Sequence, residues 1–129
     1  MNVVNLKKEI NSSVDLALKR VEEALKGEGF GVLTRIDFHL KIKEKLNKDL
    51  PPTVILGACN PKLAFEIFQR NSDVTSLMPC NVVVRDVGSG KVSIEMALPT
   101  TMLEILGDKE IINLAKDADA QLRRVLEAL

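Results

Sequence analysis

The chain has 129 residues, 46% hydrophobic and 28% charged, enough for one domain that buries a core without disulfide or metal staples. Lys and Arg number 18, as do Asp and Glu, and there is no Trp, no Tyr and only 4 Phe. The balance leaves no net field to attract nucleic acid or an anionic membrane, and the scarcity of aromatics removes the platforms that stack single-stranded bases. No apolar run approaches the ~20 residues of a membrane span. The charges near the start follow a short apolar piece, the reverse of a signal peptide. A cytoplasmic protein with reduced thiols is expected, with neither nucleic acid nor membrane as partner.

In chain order, residues 2–7 read as a first strand, with Val3, Val4 and Leu6 as its apolar content. Ser12 with Asp15 approximates a capping box, and Ser13 is the alternative cap. Val14, Ala17, Leu18, Val21, Ala24 and Leu25 recur at helical spacing, and Gly27 and Gly29 supply the stop. Residues 30–38 alternate as a half-buried strand, with Phe30, Val32, Thr34, Ile36 and Phe38 expected on one face. A charged helix over 39–47 would be anchored by Leu40, Ile42 and Leu46, before Pro51 and Pro52 restart an extended chain.

Residues 53–58, TVILGA, form a nearly continuous apolar run suited to a central strand. Asn60 fits as the cap of the next helix and Pro61 as its first residue, where a missing N–H costs nothing. Leu63, Ala64, Ile67 and Phe68 should be its buried stripe. Asn71, Ser72 and Asp73 break that helix, and 76–79 is a connecting turn.

Residues 80–87 and 91–98, joined by Gly88, Ser89 and Gly90, give the clearest hairpin in the chain. On its second arm Val92, Ile94, Met96 and Leu98 share one face, while Lys91, Ser93 and Glu95 share the face expected to be solvated. Thr101 and Glu104 resemble another capping box. A last helix, capped by Asp108, carries a stripe from Ile111 to Leu129 long enough to cover a sheet. The order β-α-β-α-β-α-β-β-α-α, with a hairpin and one-sided alternation, predicts an α+β domain: about five mainly antiparallel strands with helices on one face.

The strings GEGFGVLTRIDF, ILGACNPKLA and LMPCNVVV, followed by a helical C-terminus, resemble the family catalogued as domain of unknown function 302. The likeness spans nearly the whole chain. It implies a curved antiparallel sheet of the TATA-box-binding-protein-like kind and a homodimer, and it transfers no chemistry. Its motif positions are Gly57, Cys59, Asn60, Pro61, Pro79, Cys80 and Asn81, which become the candidate ligand or thiol site.

Cys59 ends a strand just before a helix, where the positive end of the helix dipole would favour thiolate. The competing reading is a small buried side chain filling a corner. Cys80 shares a face with Val82 and Val84, which argues for core; it meets Cys59 only if the two strands are antiparallel neighbours. Such a pair would be a redox dithiol or half of a zinc or copper site, with Met78 as a further soft donor. Paired close spacings such as C-x₂-C are missing, so no metal is expected and no cofactor is assigned. His39, the lone histidine, suits a surface or capping role. Two functions follow. One is a non-enzymatic module binding a small molecule or a partner in the concavity of its sheet; the other is a thiol-dependent redox, metal-binding or catalytic protein acting through Cys59 and Cys80.

Overall fold

The computed structural model describes residues 5–129, so the expectation for Val3 and Val4 lies outside the described residues. Five strands, β1 (Asn5–Asn11), β2 (Gly31–Asp37), β3 (Thr53–Cys59), β4 (Cys80–Gly88) and β5 (Lys91–Ala97), form one sheet in the order β1-β5-β4-β3-β2. Every neighbouring pair is antiparallel. Helix α1 (Val14–Gly27) joins the two edge strands β1 and β2, and α5 (Lys109–Glu127) packs beside it. Arg124 Nε reaches Glu28 Oε1 at 2.8 Å and Arg20 donates to the carbonyl of Leu129, which fixes the two helices against each other. Between them α2 (Phe38–Leu46) links β2 to β3, and α3 (Pro61–Arg70) with a 3-10 segment (Ser72–Leu77) links β3 to β4. The short α4 (Pro99–Leu103) follows β5. The domain is the expected α+β arrangement.

The larger core lies between the sheet and α1 with α5. Leu18, Val21 and Leu25 of α1 meet Val54, Leu56, Val82, Val84, Val92, Ile94 and Met96 of the sheet and Leu122 of α5, all at most 4% exposed. A smaller cluster, Ile67, Val74, Leu103, Ile111 and Ala115, holds α3, the 3-10 segment, α4 and α5 together. Removing this much apolar area from water is the main term that opposes chain entropy. Among the described residues no helix is long and apolar enough to cross a membrane.

Several local expectations change, each for a physical reason. Strand β1 runs further than predicted because it pairs with β5 along its whole length, Asn5 with Ala97 through Asn11 with Lys91. Lys8 takes an inward position there and sends its Nζ to the carbonyl of Leu126, burying its stem and satisfying a helix C-terminus. Ser13, not Ser12, caps α1: its Oγ accepts the N–H of Leu16 at 3.1 Å. No side chain of the predicted Thr101 box caps α4, which starts at Pro99; its Thr100 N–H is instead held by Asp119 at 3.1 Å.

Strand β2 departs most. Its register against β3 slips between Val32 and Thr34, so Leu33 is an extra residue in a β-bulge. Directly paired residues share a face. Val32, opposite Ala58, therefore lies on the helix side, whereas Thr34 opposite Gly57 and Ile36 opposite Ile55 lie on the open side. The predicted single face of Val32, Thr34 and Ile36 is split. Helix α2 includes Phe38 and buries no residue at all; its expected anchors Leu40 and Leu46 are exposed. Phe68 is likewise 45% exposed, leaving Ile67 as the buried centre of α3.

The expected solvated face of β5 is covered. Ser93 and Glu95 are 5% and 8% exposed, because Glu95 draws Arg85 Nη2 to 2.6 Å and Lys7 Nζ to 3.7 Å, and those long side chains lie across it.

Candidate functional site

The sequence TVILGACNP turns from strand to helix within a few residues. Asn60 leaves extended backbone and caps α3, its Oδ1 accepting the N–H of Leu63 at 3.2 Å, with Pro61 at the first helical turn. The second segment, LMPCNVVV, enters β4 through a cis Met78–Pro79 peptide bond. The pairing of β3 with β4 sets Ala58 opposite Cys80 and Gly57 opposite Asn81. The two cysteine corners, far apart in sequence, therefore meet at one end of the sheet, with Cys80 facing the neighbour of Cys59.

Beneath this corner is a cavity of about 90 Å³. It lies along the seam of the two hydrophobic clusters: Phe30, Ala58 and Ala118 come from one, Ile67, Val74 and Leu103 from the other. Of the predicted positions, Cys59, Asn60, Pro79, Cys80 and Asn81 line it. Gly57 and Pro61 do not. Gly57 is buried against Thr34 and Pro79, and a Cβ placed on it would stand 2.6 Å from Pro79 Cγ. Pro61 starts α3 and is exposed. The cavity is therefore on the helix side of the strand ends, not in the open concavity of the sheet. Alternation along β3 and β4 put the small Ala58 and Cys80 inward together, and the helical segments arch over the space they leave.

Sequence reasoning missed the opposite wall, built by Met102, Leu103 and Ala118 of α4 and α5. These are ordinary members of apolar helical stripes, and nothing in their spacing distinguishes a cavity wall from a filled core. Asn60 also donates Nδ2 to Gln121 Oε1 at 3.2 Å, tying the cap of α3 to α5 at the cavity mouth. A second, polar recess of about 260 Å³ lies beyond that bond, lined by Lys62, Glu66, Asp117 and Gln121.

Both cysteines are free. The expected thiolate at Cys59 is not what the surroundings favour: burial pushes its thiol above the ordinary value. Burial, then the Cys59 and Asp119 charges, push Cys80 up to about 11. His39 is absent from the cavity. Its Nδ1 accepts the N–H of Thr53 at 2.9 Å, pinning α2 to the start of β3. Among the described residues no group of three or more His, Cys, Asp or Glu is placed to hold a metal ion.

The fold and cavity define a class: a small α+β protein with an open, helix-backed antiparallel sheet and an apolar chamber at one end of it. The chain matches the family model described as "Domain of unknown function DUF302" over residues 6–129, and it belongs to that family. It is similar to a crystal structure of an uncharacterized conserved DUF302 protein from Bacillus stearothermophilus. The two share 30% identity and a TM-score of 0.91 across 98% of each chain. No curated protein matches it.

Proposed function

We propose that this protein is a non-enzymatic, cytoplasmic binding module, homodimeric, whose ligand enters the chamber beneath Cys59 and Cys80. The observation that carries the reading is the chamber itself. Protein interiors are close-packed, so an unfilled volume at the junction of two cores needs a reason. Its walls are aliphatic, thioether, thiol and proline, with Asn60 and Asn81 as the polar side chains. A chamber of that chemistry accepts small, weakly hydrated ligands. Thiol catalysis is disfavoured by the same walls, since burial raises both thiols above their ordinary value.

The test uses benzene or xenon as probe. Saturable shifts of the amide resonances of Phe30, Ala58 and Ala118 are expected in the wild-type chain. They should be lost in Ala64→Leu, which fills the space from α3. No saturable shift in the wild-type protein would overturn the reading.

Self-association is supported by β2 and α2. Among the described residues the edge strand β2 has no partner on its outer side, and residues 33–50 expose Leu33, Ile36, Phe38, Leu40, Leu46 and Leu50. Isolated exposed apolar residues need no explanation, whereas a run of six along one edge marks a contact surface. A two-fold axis through Ile36 would pair β2 with its copy antiparallel. Arg35 of each chain would then stand opposite Asp37 of the other, a self-complementary arrangement.

A further inference from the structure

We infer that the chamber is a site for a soft monovalent metal ion, copper(I), held by the sulfurs of Cys59, Cys80, Met78 and Met102. This rests on the chamber being the ligand site and names the chemical class of that ligand.

The chain contains 2 Cys and 4 Met, and four of these six sulfur-bearing residues line the one chamber. They reach it from separate directions. Cys59 comes from the end of β3, Met78 and Cys80 from the corner that opens β4, and Met102 from α4 on the far wall. Donors arriving from three segments can surround an ion.

The donor set also selects the metal. Thiolate and thioether sulfurs are the ligands that prefer copper(I). Zinc is held by thiolate, imidazole and carboxylate, and calcium and magnesium by oxygen. Among the described residues no His, Asp, Glu, Lys or Arg lines the chamber, and Asn60 is committed to the Leu63 N–H and to Gln121. Thioethers are neutral donors, so one copper(I) with one thiolate leaves the chamber uncharged. An apolar interior tolerates that and would not tolerate an unpaired ion.

Loading is a ligand exchange. Copper(I) leaves a soft carrier such as a small thiol complex, one cysteine S–H gives up its proton to solvent, and a bond forms from that sulfur to copper. The other sulfurs add as neutral donors through lone pairs. Copper and both cysteines keep their oxidation states.

The experiment titrates reduced, untagged full chain with the acetonitrile complex of copper(I), under argon, against a chromophoric copper(I) chelator. One copper per chain should resist the chelator, with a thiolate-to-copper absorption in the near ultraviolet that no Trp or Tyr obscures. Met78→Leu with Met102→Leu keeps volume and apolarity, so the fold should survive by circular dichroism. Its affinity for copper(I) should fall at least tenfold, and Cys80→Ser should fall further. Complete stripping of the wild-type chain by the chelator, or undiminished affinity in the folded Leu pair, would overturn the inference. If benzene still enters the chamber while copper(I) does not, the metal falls and the chamber reading stands. If neither enters, both fall.

Discussion

Gly57 and Pro79 are pressed together across the β3–β4 corner: a methyl group on the glycine would lie 2.6 Å from Pro79 Cγ, and Thr34 Oγ1 crowds it from the other side. A carbon cannot approach a proline ring that closely, and the ring cannot rotate away as a flexible side chain would. Gly57→Ala should destabilise the fold by roughly 1–3 kcal/mol, in the range of overpacked sites. Urea unfolding followed by circular dichroism measures it. Adding Thr34→Ala should recover only part of the loss, because the ring contact remains. An unchanged urea midpoint for Gly57→Ala would contradict the packing.

The Cys80 thiol, pushed up to about 11 chiefly by burial, makes stability depend on alkaline pH. The folded chain holds this proton more tightly than the unfolded one, whose thiol titrates near its ordinary value. Stability is therefore fully present below that value and declines as pH rises through it toward 11. The loss attributable to Cys80 is on the order of 2 kcal/mol by the usual linkage. Urea midpoints at several pH values from 7 to about 11 should fall for the wild-type chain and fall less for Cys80→Ala. Iodoacetamide should also label native Cys59 and Cys80 slowly at neutral pH, with Cys80 the slower of the two. Rapid labelling near pH 6 would refute the account of both sulfurs.

How far the sequence could be read depended on how local each cause was. Asn60 as cap and Pro61 as first helical residue need only their neighbours, and the Gly88–Gly90 hairpin is a local turn signal, so all were legible. Antiparallel meeting of the cysteine corners was conditional on strand order, which the pattern suggested and the Ala58–Cys80 register supplies. The β2 bulge was not legible, since one extra residue at Leu33 reverses every face beyond it and leaves no mark in composition. Nor was the burial of Glu95: an alternating strand assigns it to solvent, and only the arrival of Arg85 and Lys7 from neighbouring strands covers it. The far wall of the chamber was invisible for a third reason. A stripe residue such as Ala118 looks the same whether its neighbour is an atom or a void.

Among the described residues Glu95 is the one buried charge of the sheet, with Arg85 at 2.6 Å, Ser93 Oγ at 3.3 Å and Lys7 at 3.7 Å. Breaking such a pair from one side leaves the other charge without its acceptor. The loss is tempered here because Arg85 is itself 38% exposed and can turn to water. Glu95→Ala should cost about 1–3 kcal/mol, and Glu95→Gln less, since its amide oxygen still accepts from Arg85. The double variant Glu95→Ala with Arg85→Ala should cost less than the sum of the two single changes, a coupling read from a thermodynamic cycle in urea. Additive losses would show that the pair does not act as a unit.

The proposed dimer rests on the edge strand β2. In the proposed dimer Ile36 lies on the two-fold axis and meets its own copy, with the Arg35 and Asp37 charges exchanged between chains on either side. Within one chain Arg35 already holds Asp37 at 3.0 Å, so the carboxyl sits below its usual range, chiefly through that hydrogen bond. Exchange across the axis would satisfy the same groups at no added charge. Sedimentation velocity over a wide concentration range should show a dimer for the wild-type chain. Ile36→Asp, which sets two carboxylates face to face on the axis, should shift it to monomer with the fold intact, because Ile36 is 44% exposed and makes no core contact that is lost. Arg35→Asp alone should weaken the dimer, and Arg35→Asp combined with Asp37→Arg should restore it. A dimer indifferent to all three variants would place the interface elsewhere on the molecule.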